Sequence, residues 1–253
     1  MLRATLAILM LLCSFFIQGQ NETIFNTGTE AYNEGDYNKA IESYLKILEN
    51  GEHSAELYYN LGNAYYKLNQ IAPSIYYYEK ALLLKPNDPE IRNNLGYAQN
   101  MTLDAIEMMP ETGLSKIYTN IVGMLSFDQW GYAAVAFMML FVLLYIAFYY
   151  LNYATQKRIA FILGMFALLL AISATALAYM SYSDFQADRP AIVFTDEVII
   201  KSEPNDRSQE VFRLHEGTKL NVLEEFNDWK KIRIADGQIG WLTSENIKLL
   251  KDF

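Results

Sequence analysis

Residues 129–156 and 159–183 contain no charged side chain. Each run exceeds the roughly 20 residues an α-helix needs to cross the hydrocarbon core of a bilayer. Neither shows the polar face that a surface helix of a soluble domain keeps for solvent. Transmembrane helices are therefore expected at 129–152 and 159–182, joined by a short loop at 153–158. Trp130 and Tyr132 open the first span, Tyr149, Tyr150 and Tyr153 close it, and Tyr179 and Tyr182 close the second, which sets amphipathic rings at headgroup level. The loop carries Lys157 and Arg158, whereas the outer flanks carry Asp128, Asp184 and Asp188. The positive-inside bias then puts the loop in the cytoplasm and both flanking segments outside. No ionisable residue lies within either span to relay a proton or hold an ion, so the hairpin is expected to anchor the chain.

A third apolar run lies at the N-terminus. Arg3 precedes Ala4–Ile17, which is interrupted by Thr5, Cys13 and Ser14 and followed by Gln18-Gly19-Gln20. This is the pattern of a secretory signal peptide over 1–20, and it sends the chain from residue 21 outward, in agreement with the charge bias. An acylated lipoprotein cysteine wants a small residue before it, and Leu12 precedes Cys13. The three runs supply most of the excess apolarity, 52% hydrophobic against 19% charged residues. A single cysteine excludes a disulfide framework or a thiolate metal cluster. A net charge of −9 lacks the basic footprint of a nucleic-acid binder.

Segment 21–110 has a period. Units 21–54 and 55–88 align over their length, and a partial third unit occupies 89–110. In the second unit Tyr58, Leu61-Gly62, Tyr65, Ser74, Tyr78, Ala81 and Pro86 fall at large, small and turn positions; Ile24, Gly28, Ala40 and Tyr44 match in the first. Gly35-Asp36-Tyr37 marks a turn between helices, and Pro73 sits near the start of a second helix, where a missing N–H is tolerated. On these residues the segment resembles the tetratricopeptide repeat family, with Leu57-Tyr58-Tyr59-Asn60-Leu61-Gly62-Asn63-Ala64-Tyr65-Tyr66-Lys67 close to its consensus. Thr27 and Asn50-Gly51 depart from it in the first unit. Pro89 and Leu95-Gly96 start the third, and Met101–Met109 reads as a capping helix or a degenerate repeat.

Such arrays present a concave face lined by the first helix of each unit. Here that face is expected to include Tyr59, Asn60, Asn63, Tyr66 and Lys67, then Asn94 and Tyr97, with Asn93 beside them; amides among phenols at helical spacing suit a peptide backbone or carboxylate. A plain solvated helix face has the same composition. The segment holds six basic and thirteen acidic side chains, a net of −7, which favours a basic partner over an acidic one.

Within 111–127, Leu114, Ile117, Tyr118, Ile121, Val122 and Leu125 recur with helical spacing, an amphipathic helix expected to lie along the outer membrane interface or to pack on the repeats. Ser126-Phe127-Asp128-Gln129 reads as a capping box opening the first span. Residues 191–253 then switch to period two. Val198–Ile200, Lys219–Leu223, Trp229–Ile234 and Gly240–Leu242 are short strand signals, and Asp236-Gly237 is a hairpin turn. About five short strands imply a small barrel. With Lys201-Ser202-Glu203-Pro204, Glu216-Gly217-Thr218 and Gly240-Trp241-Leu242 in place, the segment resembles the bacterial Src-homology-3-like (SH3b) family. That resemblance implies a groove for cell-wall peptides or proteins, with Trp229 and Trp241 as its candidate residues; the same rings also suit a barrel core.

There is no phosphate-binding glycine loop, no paired metal-ligand spacing and no nucleophile elbow. His53 and His215 read as solvated surface residues. No cofactor, metal or catalytic residue is expected. The fold class is a multidomain membrane protein: an all-α tetratricopeptide solenoid, a two-helix transmembrane hairpin and a small all-β SH3-like barrel. In domain order the chain resembles the BatE-like members of the Bacteroides aerotolerance (Bat) operon family. The resemblance implies an inner-membrane protein facing the periplasm and working with membrane-anchored von Willebrand factor A-domain proteins in stress tolerance. The expected function is a non-enzymatic scaffold that holds protein partners beside the bilayer. An envelope sensor reading peptidoglycan peptides is the alternative.

Overall fold

The computed structural model describes residues 20–104, 106 and 113–251, so the expected signal peptide lies outside the described residues. Five helices come first: residues 20–34 (α1), Tyr37–Glu49 (α2), Ala55–Lys67 (α3), Ile71–Leu84 (α4) and Pro89–Gln99 (α5). Their starts are written in the sequence. The carboxylates of Asp36 and Asp88 and the hydroxyl of Ser54 each accept a backbone N–H of the following turn, Lys39 at 3.2 Å, Glu90 at 3.0 Å and Leu57 at 3.1 Å. Pro73 falls in the first turn of α4, where N–H groups have no intrahelical acceptor.

The repeat is visible in the packing. A Cβ at Gly28 would lie 2.7 Å from the Tyr44 ring, and one at Gly62 2.6 Å from the Tyr78 ring. Tyr44 and Tyr78 are each 1% exposed. In both units a fully buried aromatic of the second helix thus occupies the space a side chain on the first would need. The third unit stops early. The chain turns at Asn100 and Met101 and leaves the helix, so 102–104 are not the capping helix expected there; residues 105 and 107–112 lie outside the described residues. The cause is long-range, because Asp104 and Ile106 are taken up by the β-domain.

That domain is an antiparallel seven-stranded sheet of Pro190–Val193 (β1), Glu197–Lys201 (β2), Glu210–His215 (β3), Lys219–Phe226 (β4), Trp229–Arg233 (β5), Ile239–Thr243 (β6) and Ile247–Leu249 (β7), in the order β3-β2-β6-β5-β4-β1-β7. Strand alternation fills its core with Val198, Ile200, Leu220, Val222, Ile232 and Leu242. Two more strands exist than the periodicity indicated.

Repeats and β-domain form one compact unit, and residues 109–188 form a second. Within the first, the β-domain packs on the outer side of α4. Ile192 and Leu250 join the buried cluster of the repeats, and Phe194 meets Tyr76 edge-on at 5.5 Å. Buried Glu79 receives the Lys219 ammonium at 2.7 Å. Gly217 makes the approach possible: its φ is +83°, and a Cβ there would lie 2.9 Å from Thr102 and 3.0 Å from Ile75.

The second unit holds α6 (Gly113–Val122), α7 (Phe127–Tyr150) and α8 (Ala154–Ala187). The capping box is formed at both ends: Gln129 N–H donates to Ser126 Oγ at 3.2 Å, and Ser126 N–H to Gln129 Oε1 at 3.0 Å. The turn between α7 and α8 is confined to residues 151–153, tighter than the expected 153–158, because nothing in Thr155–Arg158 opposes a helix. Lys157 and Arg158 lie in the first turns of α8. The residues of α8 buried against its neighbour are all small, Ala160, Gly164, Ala167, Ala171 and Ala174, with Gly164 facing Phe141 and Leu144. No residue of α7 is buried. Both helices are long and apolar enough to cross a membrane. On α6, Leu114, Ile117 and Ile121 are exposed, while Trp130 Nε1 donates to the Val122 carbonyl at 3.1 Å.

Candidate functional site

Helical spacing sets Tyr59, Asn63 and Tyr66 on one face of α3, and α5 brings Asn94 and Tyr97 beside them. A cavity of about 180 Å³ lies between, lined by Tyr32, Asn63, Tyr66, Lys67, Tyr78, Asn94 and Tyr97. Five of the seven residues expected on the concave face line it. Tyr59 and Asn60 do not: Tyr59 belongs to the network that supports the cavity, and Asn60 neighbours the Tyr44 phenol. Tyr32 and Tyr78 were not among the expected residues. Tyr32 has a signal, since it occupies in the first unit the place of Tyr66 in the second.

The amides are held by phenols. Tyr78 donates to Asn63 Oδ1 at 2.6 Å, and the Asn94 amide donates to the same oxygen at 3.0 Å and to the Tyr59 hydroxyl at 2.8 Å. Tyr59 in turn donates to Glu90 Oε1 at 2.7 Å. Burial raises both phenol pKa values; the Glu90 carboxylate adds to the effect on Tyr59, pushed up to about 12. Both hydroxyls therefore stay protonated and keep donating. With Asn63 Oδ1 taken by two donors, the Asn63 amide also bonded to the Tyr59 hydroxyl and the Asn94 amide protons engaged, the pair keeps one N–H of Asn63 and the carbonyl of Asn94 to offer. That is the complement of a peptide group. Lys67 and Tyr97 are exposed at the rim, Tyr97 by 62%.

On the β-domain, Pro204, Glu224, Glu225, Phe226 and Trp241 line an open depression of about 470 Å³. Trp241 and Trp229 are half-buried, and neither belongs to the core cluster; only Trp241 borders the depression. The Lys231 ammonium lies 5.7 Å from the Trp241 ring centre. Glu225 is held below the usual carboxylate range by hydrogen bonds from Lys230 and Arg189.

Neither histidine is merely solvated. His53 Nδ1 lies 2.6 Å from the Tyr58 hydroxyl. The Asp104 carboxylate accepts the His215 backbone N–H at 2.7 Å and the Thr218 hydroxyl at 2.6 Å, and its other oxygen lies 2.7 Å from His215 Nδ1. Sequence distance hid this cluster. Among the described residues no three His, Cys, Asp or Glu side chains converge as metal ligands.

Comparison with known proteins agrees with this division. The tetratricopeptide repeat model matches residues 55–88, and the bacterial SH3 domain model matches 196–248. Photosystem I assembly protein Ycf3 of Synechococcus sp. (strain CC9605) is 35% identical over 75 residues, which are 28% of this chain and 43% of that protein. The chain thus spans less than half the length of that relative. It carries a tetratricopeptide repeat and a bacterial SH3 domain.

Proposed function

We propose that this protein is a membrane-anchored scaffold that holds protein partners at the face of a bacterial inner membrane, with repeats and β-domain on the periplasmic side. Both modules are of interaction type, and no catalytic role is assigned to any residue. The observation that carries the reading is the groove built around Asn63 and Asn94, in which fixed amides and exposed Lys67 and Tyr97 suit an extended peptide. The anchor is the α7–α8 hairpin, whose stretches 129–156 and 159–183 carry no charged side chain and expose mainly apolar residues. Because repeats and β-domain share one compact unit, the two ends of the hairpin belong on one side of the membrane. Lys157 and Arg158 at its tip support the cytoplasm as the other side. The domain order supports membrane-anchored von Willebrand factor A-domain proteins as partners and a role in stress tolerance.

A photocrosslinking residue at Asn63 or Tyr66, introduced in cells, is expected to capture a membrane protein identifiable by mass spectrometry. Recovery of nothing above a control placed on the opposite helix face overturns the reading.

A second reading rests on the exposed Phe226 and half-buried Trp241. We propose that this depression takes a peptidoglycan stem peptide, as bacterial SH3 domains suggest. Titration of the whole protein with muropeptides is expected to change an emission signal that Trp241→Phe removes. No change in emission or affinity sinks this second role.

A further inference from the structure

The first-helix face does not end at the amide groove. Glu56, Tyr59 and Asn63 share one side of α3, and at the Glu56 end a cavity of about 350 Å³ opens between the first and second repeats. Its floor is apolar, made by Phe25, Ile47 and Leu57, and its rim carries Glu22, Glu52 and Glu56. Ile47 and Leu57 are 3% and 1% exposed, so the floor is fixed. Glu52 is held by the amide of buried Asn21 at 2.6 Å, and Asn21 is itself tied to Asn50 at 2.6 Å. Glu22 and Glu56 occupy the same place in successive repeats, and Glu90 the same place in the third. The amino-terminal end of a helix favours an acidic residue, which accounts for Glu56 and Glu90 locally. It does not account for an apolar cavity beside them. Among the described residues neither Glu22 nor Glu56 pairs with a base.

We infer that this cavity docks an apolar side chain flanked by lysine or arginine on a partner's extended segment. An apolar group entering it leaves water for a hydrophobic floor. The residues on either side of that group must then face the carboxylate rim, where cations gain and anions are repelled. The aliphatic stems of lysine and arginine also cover the edges of the floor. The inference rests on the reading that the first-helix face binds a peptide, and it adds the chemistry that the peptide carries.

The test uses the full chain in detergent micelles and a fluorescein-labelled peptide with Lys-Leu-Lys in a glycine-serine frame, followed by anisotropy. Binding is expected, weakening as salt rises. Replacing the peptide leucine by serine weakens it about tenfold or more, and so does Phe25→Ala. Glu22→Gln and Glu56→Gln each weaken it roughly threefold. Both glutamates are exposed, so this pair carries the test should Phe25→Ala not fold. Absence of binding, or equal binding of a Glu-Leu-Glu peptide, overturns the inference. Binding lost in Asn63→Ala but unchanged in Phe25→Ala and in the glutamate variants also overturns it, while leaving the amide groove as the peptide site.

Discussion

Gly62→Ala is expected to lower the unfolding free energy of the repeats by about 1–3 kcal/mol, whereas Gly96→Ala, at the same place in the next unit, raises it by up to about 1 kcal/mol. The signs differ because only one of these glycines faces a filled space. A Cβ at Gly62 would lie 2.6, 2.7 and 3.0 Å from three carbons of the Tyr78 ring. That ring is buried, and its hydroxyl is bonded to Asn63, so it has nowhere to retreat. At Gly96 nothing lies within 4 Å, and the added methyl only removes backbone freedom from the unfolded chain. Gly28, against Tyr44, is expected to behave like Gly62. Urea unfolding followed by far-ultraviolet circular dichroism, with the protein in micelles, checks all three. The same sign at Gly62 and Gly96 would mean that the ring does not fill the space between α3 and α4 as described.

This contrast shows what the primary structure carries locally. A small residue on one helix and an aromatic on the next recur with the repeat, so the first two units are legible without coordinates. The end of the array is not. Met101–Met109 has helical composition, yet Gly217 of the β-domain approaches Thr102 closely and Asp104 is bound by His215 and Thr218, contacts from more than a hundred residues away. Two kinds of strand were also hidden. Residues Pro190–Val193 are all buried, so they show no alternation to read. Glu210–His215 lies at the sheet edge with half of its residues exposed, and the adjacent Val211 and Phe212 break the alternation that would mark a strand. In the groove, Asn63, Tyr66, Lys67, Asn94 and Tyr97 followed from helical spacing on single helices. Tyr78 entered only because α4 tilts its hydroxyl onto Asn63, a tertiary fact that spacing cannot supply. The role of Trp241 stayed open for a similar reason: alternation along β6 gives the side of the sheet, and only the neighbouring β4 end with Phe226 makes a surface depression of it.

Asp104→Ala is expected to destabilise the joined repeat and β-domain unit by about 2–3 kcal/mol, because the loss leaves the His215 N–H and the Thr218 hydroxyl, both poorly solvated, without their acceptor. Thr218 is 5% exposed and the Asp104 side chain 13%. Asp104→Asn keeps an acceptor but loses the charge, and should fall between the two. Hydrogen exchange gives a local readout: the His215 amide is expected to exchange faster in Asp104→Ala, while amides at the β5–β6 hairpin change little. Acid should mimic the substitution. Burial opposes ionisation of Asp104, but the hydrogen bonds from Thr218 and His215 outweigh it and hold the carboxyl below its usual range. A depressed pKa means the folded state binds the proton less readily than the unfolded chain, so the clasp contributes fully at neutral pH. Its contribution fades as pH falls through the ordinary carboxylate range toward the folded value. Wild-type stability should therefore drop more steeply than that of Asp104→Ala on acidification, and parallel curves would show that this carboxylate does not join the two domains. The joint matters for the proposed scaffold because Lys219, at one end of β4, docks on Glu79, while Glu224–Phe226 at the other end border the Trp241 depression. At the rise of an extended strand the two ends lie roughly 20 Å apart, so docking holds the β-domain without covering the surface it would offer to a ligand.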